Sequence, residues 1–339
     1  MRKILTAARD ISTLAPIVFI DIGARWGGQR PWNNFPGDCL VYYGFDADAE
    51  ECNRLNSANK NASVKYLPAA LSDGEAVADL HLTVEEGCSS LYEPNYKVLD
   101  RYFLKENWRV KKKIKLQTTT LSNIFREHSI KPDFIKIDTQ GAELNILRGA
   151  ADFLDSALGL ELEVEFQEMY VGQPLFSDVD SFVRGKGFEL FDLNRYWANN
   201  SALKKDALNR GQIVFGDAVY FRSRDSFYAL EMSPEQRKEK LLKMVLIFSL
   251  YGFFDSAADY ISHKSSPFSV DERAVLVKAL SKASEFPAWQ RFLFNNKLAT
   301  KFGRLLKLIG NQLSFPLNTT GWGTDYNGVD GRYPYFRKF

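Results

Sequence analysis

The apolar and polar positions divide the chain into two regions of different grain. From residue 17 to residue 222, short β-type runs alternate with helical stretches. "IVFI" (17–20) reads as a buried strand, "LVYYGF" (40–45) as a second and "VKYLPAAL" (64–71) as a third. Between the last two, "DAEECNRLNSANK" (48–60) has helical spacing with an Asp at its start. "VADLHLTV" (77–84) alternates as an exposed strand does, and "KIKLQTTTL" (113–121) sets Ile114 and Leu116 among polar neighbours. There follow "DFIKID" (133–138), a helix from about Ala142 to Leu154, and "LGLELEVEF" (158–166). A helix over "SDVDSFVRGKGF" (177–188) with a glycine stop, "ELFDL" and the late strand "IVFGDAVYFR" (213–222) complete the region.

Strands separated by helices imply parallel pairing with right-handed crossovers, so the expected class is α/β with a doubly wound, mostly parallel sheet. Ligands of such sheets sit beyond the carboxyl ends of the strands, where strand order reverses. The polar residues ending these strands are Asp21, Asp46, Asp138 and Glu163 or Glu165. After about residue 226 the strand signal stops. Two helices broken at Gly252, another over "SVDERAVLVKALSKA" and a fourth over 296–313 form an all-helical C-terminal appendage, ending in the tail "GWGTDYNGVDGRYPYF". The division drawn is 1–226 for the α/β domain and 227–339 for the helical region. No tandem repeat is evident in the latter.

Composition narrows the class. Apolar residues make up 45% and charged residues 25%, an ordinary globular balance. The net charge of +2, from 44 basic and 42 acidic groups, gives no electrostatic case for a nucleic-acid partner. The basic run "RVKKKIK" (109–115) reads as a solvated approach to a strand. Cys39, Cys52 and Cys88 have no zinc-like spacing and read as reduced thiols of a cytoplasmic protein. His81, His128 and His263 are scattered, so no protein-bound metal is expected; a Mg²⁺ held by Asp138 and a glutamate stays open. Arg9 and Asp10 interrupt the N-terminal stretch and Asp21 ends the next apolar run, Ile17 to Ile20, so neither a signal peptide nor a spanning helix is expected. The stripe Leu298, Phe302, Leu305, Leu306 and Ile309, with a basic opposite face, reads first as packing against the other C-terminal helices. Peripheral membrane contact is its second reading, and a protein partner or self-association through these helices a third.

The chemistry starts at "VFIDIGARWGG" (18–28). A dinucleotide turn would have Gly at position 25, where this chain has Arg25. An acid closing the second strand, Asp46, is placed to accept both ribose hydroxyls, which suits a nicotinamide cofactor or S-adenosylmethionine. A pyrophosphate needs close backbone approach and three glycines. A methionine moiety instead offers an ammonium and a sulfonium for carboxylates and one carboxylate for an arginine. Asp21, Asp138 and Arg25 suit the second ligand better.

Several blocks occur together and in order: "FIDIGARWG", "YGFDAD", "AALSDGEAVADLHLT", "CSSL", "DFIKIDTQGAELNILRGA" and "ELEVEFQEMYVGQPLF". From about 17 to 222 the chain resembles the FkbM-type S-adenosylmethionine-dependent methyltransferases. The most specific element is Lys136-Ile137-Asp138 with Gly141 and Glu143. The family commonly has Asn at the position of Arg25 and an acid at the position of Gln140. The resemblance implies a Rossmann-like class I methyltransferase fold. It implies further that Gly23 and its neighbours Ala24 and Arg25 turn under the methionine portion, that Asp46 and Ala47 meet the ribose, that Ser72 and Asp73 meet the adenine, and that Asp138 lies beside the transferred methyl.

Methyl transfer is an in-line displacement, so catalysis is mainly placement of the acceptor, helped by a base for an alcohol. "ELEVEF" puts Glu161, Glu163 and Glu165 on one strand face, unless that face is only the solvated side of an edge strand. The candidate bases are Asp138, Glu163 and Glu165. Tyr170, Gln173, Arg195, Tyr196 and Trp197 form a candidate acceptor wall, since aromatic rings stack on sugar faces. The first expectation is O-methylation of a hydroxyl, with the resemblance pointing to a sugar of a glycan or glycoconjugate. The alternative is a non-catalytic scaffold that retains the fold to bind partners, and a nicotinamide oxidoreductase comes third.

Overall fold

The computed structural model describes residues 1–103, 105–203, 211–285 and 302. In chain order its elements are α1 (Arg2–Ile11), β1 (Ile17–Ile22), β2 (Leu40–Asp46), α2 (Ala49–Ala58), β3 (Val64–Pro68), β4 (Ala70–Leu71), β5 (Val77–Thr83), α3 (Tyr96–Leu99), β6 (Val110–Thr119), α4 (Leu121–Glu127), β7 (Phe134–Ile137), α5 (Glu143–Gly149), β8 (Gly159–Glu165), α6 (Phe176–Gly185), β9 (Phe188–Ala198), β10 (Gln212–Arg222), α7 (Arg224–Ala229), α8 (Pro234–Tyr251), α9 (Phe254–Ser262) and α10 (Val270–Ser284).

Seven strands form one sheet in the order β3-β2-β1-β7-β8-β10-β9. β3, β2, β1, β7 and β8 run parallel, while β10 is antiparallel to both β8 and β9. Strand order reverses between β1 and β7, so the crevice expected of a doubly wound sheet lies at their carboxyl ends. Side chains alternate between two cores, as a pleated strand requires. Phe19, Phe134, Val219 and Phe221 face one, and Ile20, Ile135, Leu162 and Tyr220 face the other.

α4, α5 and α6 cover the second face, while α1, α2 and the C-terminal helices α8–α10 cover the first. α8 is buried from Leu241 to Tyr251 around its whole circumference, the mark of a helix packed on several sides. Its ends are fixed by local chemistry. Ser233 and Gln236 form a capping box, Pro234 occupies the first turn, and Gly252 takes a left-handed φ of 87° to stop it. The boundary drawn at 226/227 therefore divides segments that share one core. The stripe over 296–313, apart from Phe302, and the aromatic tail lie outside the described residues. Among the described residues, no helix is long and apolar enough to cross a membrane.

Three departures from the sequence reading have local causes. Residues 64–71 are two strands, because Pro68 has no N–H to continue the ladder with β2. β4 then joins β6 and β5 in a separate three-stranded sheet. The helix expected to run to Leu154 ends at Gly149, followed by a 3₁₀ turn over Ala151–Ser156. α1 was not expected at all, yet Ile4, Leu5, Ala7 and Ala8 form a buried stripe on it.

Candidate active site

Pairing register brings the expected acids together. Ile22 lies opposite both Phe45 and Ile137, and Ile137 opposite Leu162. One residue further on, Asp46, Gly23, Asp138 and Glu163 therefore stand in a row across four adjacent strands, with β8 running on to Glu165. Asp217 of β10 pairs with Glu163 and extends the row. A cleft of about 670 Å³ opens over it, lined by Gly23, Arg25, Asp46, Ala47, Asp138, Gln140 and Glu163. Its opposite wall is the small sheet, through Leu80 and Leu82 of β5 and Lys112, Ile114 and Leu116 of β6.

The turn after β1 is held tightly. The N–H groups of Gly23 and Ala24 both donate to the Phe45 carbonyl, at 2.9 and 3.0 Å. Gly23 has a φ of +80°, and a Cβ there would lie 1.9 Å from the Asp138 carbonyl oxygen. Only glycine fits. Ala24 is buried and does not line the cleft. The Arg25 guanidinium is taken up by carboxylates, Glu86 at 2.9 Å, Asp48 at 3.2 Å and Asp46 at 3.9 Å. Asp46 is not the cap of α2: that role belongs to Asp48, which accepts from the N–H groups of Glu50 and Glu51 at 3.0 and 3.2 Å. Asp46 is left facing the cleft, its carboxyl raised above the usual range by burial.

Beneath the cleft, Asp21 is buried, accepts a 2.8 Å hydrogen bond from Tyr42 and lies 3.6 Å from the Lys136 ammonium. Burial pushes the Asp21 carboxyl up, against the pull of Lys136. Burial alone would neutralise Lys136, but Asp138, Asp21, Glu161 and Asp217 outweigh it and hold the ammonium above its ordinary value. Lys136 is thus a fixed cation under a row of acids, 3.3 Å from Asp138. Its signal in the sequence was the position two before Asp138; nothing there showed that four acids would converge on it.

The loop after β7 is tied by Glu143. That side chain accepts from Thr139 N at 2.7 Å, Thr139 Oγ1 at 3.0 Å and Gly141 N at 2.9 Å. Burial pushes its carboxyl up to about 7 against those bonds. Glu163 is only 9% exposed, with its carboxyl well above the usual range through burial and the charges of Asp138 and Glu165. Glu165 is raised likewise, by burial first and then Glu143, but lies behind the cleft on Gln173. Glu161 faces the core and accepts from Tyr251 at 2.6 Å. The face of β8 is therefore not the solvated side of an edge strand: all seven of its residues are buried.

The expected acceptor wall is not on the cleft. Tyr170 is 1% exposed and bonded to Trp108, Cys88 and Gln140, so its ring has no free face for a sugar. Gln173 is buried beside it, its Oε1 accepting from Tyr170 N at 2.5 Å. Arg195, Tyr196 and Trp197 lie on β9 at the far edge of the large sheet, Arg195 over the Trp197 ring and Tyr196 stacked on Phe215. Ser72 and Asp73 follow β4 and do not line the cleft; Ala69, Ala70 and Leu71 do. Among the described residues, no group of three or more His, Cys, Asp or Glu is arranged to hold a metal. The basic strand pairs with acids, Lys115 with Asp79 at 3.1 Å and Lys113 with Glu93 at 3.6 Å.

The residues fit the expected S-adenosylmethionine. Gly23 lets the chain turn close under the cleft, Asp46, whose Oδ1 already accepts from Asp48 N at 2.8 Å, keeps its other oxygen for a diol, and Leu71, Ile114, Leu116 and Ile146 give the lining apolar surface suited to a flat base.

Comparison with known proteins agrees with the geometry. The Methyltransferase FkbM domain matches residues 21–190, half of the chain. A search of curated proteins finds no significant match. Among solved structures, similarity extends to magnesium protoporphyrin IX methyltransferase of Synechocystis PCC 6803 with bound SAM, at 9% identity over 66% of this chain and 77% of that one, TM-score 0.32. It extends also to precorrin-6y C5,15-methyltransferase of Geobacter metallireducens GS-15, at 10% identity over 65% and 87%, TM-score 0.31. An uncharacterized protein of Listeria monocytogenes serotype 4b matches at 10% identity over 83% and 98%, TM-score 0.33. Likenesses this distant say nothing about the acceptor. The domain match over half its length, on a sheet of this order, makes the chain a member of the FkbM methyltransferase family and an S-adenosylmethionine-dependent methyltransferase.

Proposed function

We propose that this enzyme methylates a hydroxyl oxygen, that of a sugar in a glycan or glycoconjugate, in the cytoplasm. The observation that carries the reading is the pair Asp138 and Glu163, side by side on the cleft floor next to Gly23 and Asp46. S-adenosylmethionine, when bound, supplies a methyl group made electrophilic by the sulfonium. Asp46 would hold the ribose and the Gly23 turn the methionine end. An acceptor hydroxyl above Asp138 and Glu163 can donate to either carboxylate, which orients its lone pair and takes its proton. Glu163 is the better base of the usual carboxylates, because burial and the neighbouring acids Asp138 and Glu165 hold its proton affinity high. Lys136, fixed below, offsets the negative charge of the floor. Three free thiols match a reducing compartment.

The test is transfer of labelled methyl from S-adenosylmethionine to a panel of mono- and oligosaccharides, with the methylated atom identified by mass spectrometry and NMR. Asp138→Asn and Glu163→Gln should each lower turnover by about 10²–10⁴-fold while S-adenosylhomocysteine still binds. Unchanged turnover in both variants removes the base assignment. Methylation at nitrogen or carbon removes the O-methyl reading, and cofactor binding without transfer to any acceptor favours the scaffold.

A further inference from the structure

Gln140 sits where the backbone is least comfortable for it. Its φ is +59°, a left-handed conformation uncommon for a side chain of this kind, and Gly141 follows at +101°. Two anchors hold the loop there: the Gln140 carbonyl accepts from Ser90 Oγ at 2.6 Å, and Glu143 ties Thr139 and Gly141 from below. The strained turn points the side-chain amide at the two carboxylates on the cleft floor. Its Nε2 donates to Glu163 Oε2 and, at 3.4 Å, to Asp138 Oδ1. Its Oε1 lies 2.8 Å from the Tyr170 hydroxyl, whose single proton is shared between it and the Cys88 carbonyl, also at 2.8 Å.

A flipped amide would turn its oxygen toward the two acids and lose both of the donations that join them. Tyr170 cannot drift, because it is buried and its oxygen also accepts from Trp108 Nε1 at 3.0 Å. An amide is the one side chain of this length that gives two protons to two acids and adds no charge of its own. The charged groups acting on Glu163 are acidic: Asp138 after β7, Glu143 from α5, Glu165 from β8 and Asp217 from β10, with Lys136 beneath Asp138 at 3.3 Å and Tyr170 behind.

We propose that Gln140 is a positioning residue for methyl transfer: its amide bridges Asp138 and Glu163 and aims both at the acceptor. The inference rests on the assignment of that pair to the acceptor. A glutamate at the same position would add an acid to the pair and force one proton to be shared among three carboxylates.

The experiment compares wild type with Gln140→Glu, which keeps the shape, and Gln140→Asn, which keeps an amide and tolerates a left-handed φ but is one methylene short of both acids. Calorimetry with S-adenosylhomocysteine first establishes that each binds cofactor product. The carboxyl C=O stretch of protonated acids, followed by infrared spectroscopy across neutral pH, then reads the titration. Gln140→Glu should raise the highest carboxyl midpoint so that proton affinity increases about tenfold or more, and Gln140→Asn should raise it less. With an acceptor in hand, kcat should fall at least about tenfold in both variants, with cofactor affinity within a few-fold of wild type. Unaltered midpoints in both variants, with product binding intact, overturn the proposal. So does loss of folding in Gln140→Asn, which would assign the residue to loop structure alone. Failure of wild type itself to bind S-adenosylhomocysteine would instead overturn the cofactor assignment, and methylation of an acceptor without dependence on Asp138 or Glu163 would overturn the base assignment while leaving the bridge measurable.

Discussion

Gly23→Ala is the sharpest perturbation the fold offers, because one methyl group strikes a backbone atom rather than a movable side chain. The new Cβ would stand 1.9 Å from the Asp138 carbonyl oxygen, where real Cβ contacts do not fall below 3.0 Å. The difference, about 1.1 Å, must be found by moving the ends of β1 and β7 apart. Both are constrained: Asp138 N donates to Ile22 O at 3.0 Å, and Gly23 N to Phe45 O at 2.9 Å. The left-handed φ adds about 1–2 kcal/mol for a residue with a Cβ, and forced expansion of a packed site costs about 1–3 kcal/mol. Together the substitution should destabilise the chain by about 2–5 kcal/mol.

The functional loss should exceed what stability accounts for. Displacing Asp138 from Asp46 by about 1 Å separates the two halves of the cleft, and misplacement on that scale costs about 10²-fold. The assay pairs urea unfolding with calorimetric titration of S-adenosylhomocysteine, using Gly74→Ala as control, since a Cβ at Gly74 meets nothing within 4 Å. Gly74→Ala should be neutral within about 0.5 kcal/mol. If Gly23→Ala unfolds at the wild-type urea concentration and binds product as wild type does, the turn is not the cradle described above.

Local chemistry was legible in the sequence, and long-range pairing was not. β1, β2 and β7 declared themselves as short apolar runs, because strands covered on both faces need apolar side chains at successive positions, and β8 by its alternation of apolar residues with glutamates. Asp46 and Asp138 could be read for the same reason, since a charged residue ending such a run lies at the rim, whereas Asp21 lies inside β1 and is buried beneath the cleft. Arg25 lines the cleft as expected, but its pairing with Glu86, 61 residues away, could not be read from the sequence. Tyr170 misled for a related reason. A tyrosine after a strand reads the same whether its ring stacks on ligand or its hydroxyl holds Gln140. The small sheet was hidden because β4 has only two residues and pairs with Thr118 and Thr119, nearly fifty positions on. From Leu241 on, α8 is buried on every side, so that part of the helix leaves no amphipathic trace of what it packs against.

Asp46→Ala should abolish S-adenosylhomocysteine binding in the calorimeter, whereas Asp48→Ala should cost about 1 kcal/mol of stability through the lost cap of α2 and keep binding; equal binding by both would unseat Asp46 as the ribose ligand. Glu143 gives a pH dependence of defined sign. Its folded carboxyl is raised from 4.5 to about 7, so the folded chain keeps a proton that the unfolded chain has released. That contribution, of order 3 kcal/mol, is present below about pH 4.5 and lost as pH rises through about 7. The stability difference between wild type and Glu143→Gln should therefore fall over that interval, and a difference that grows would contradict the burial argument. Asp133→Ala tests how far the C-terminal helices belong to the sheet. Asp133, at the start of β7, is buried and accepts from Lys240 at 2.7 Å and Lys243 at 2.9 Å, both on α8, and from Val18 N of β1 at 2.9 Å. Removing it strands the buried Lys243 ammonium, with only the half-exposed Glu239 left at 3.1 Å, and breaking a buried pair costs about 3–5 kcal/mol. Because the damage lies at the amino ends of the strands, opposite the cleft, product affinity of the folded fraction should not change. A single cooperative urea transition shifted to lower denaturant is expected. Were α8–α10 to melt separately while the sheet kept its wild-type midpoint, the shared core would be refuted.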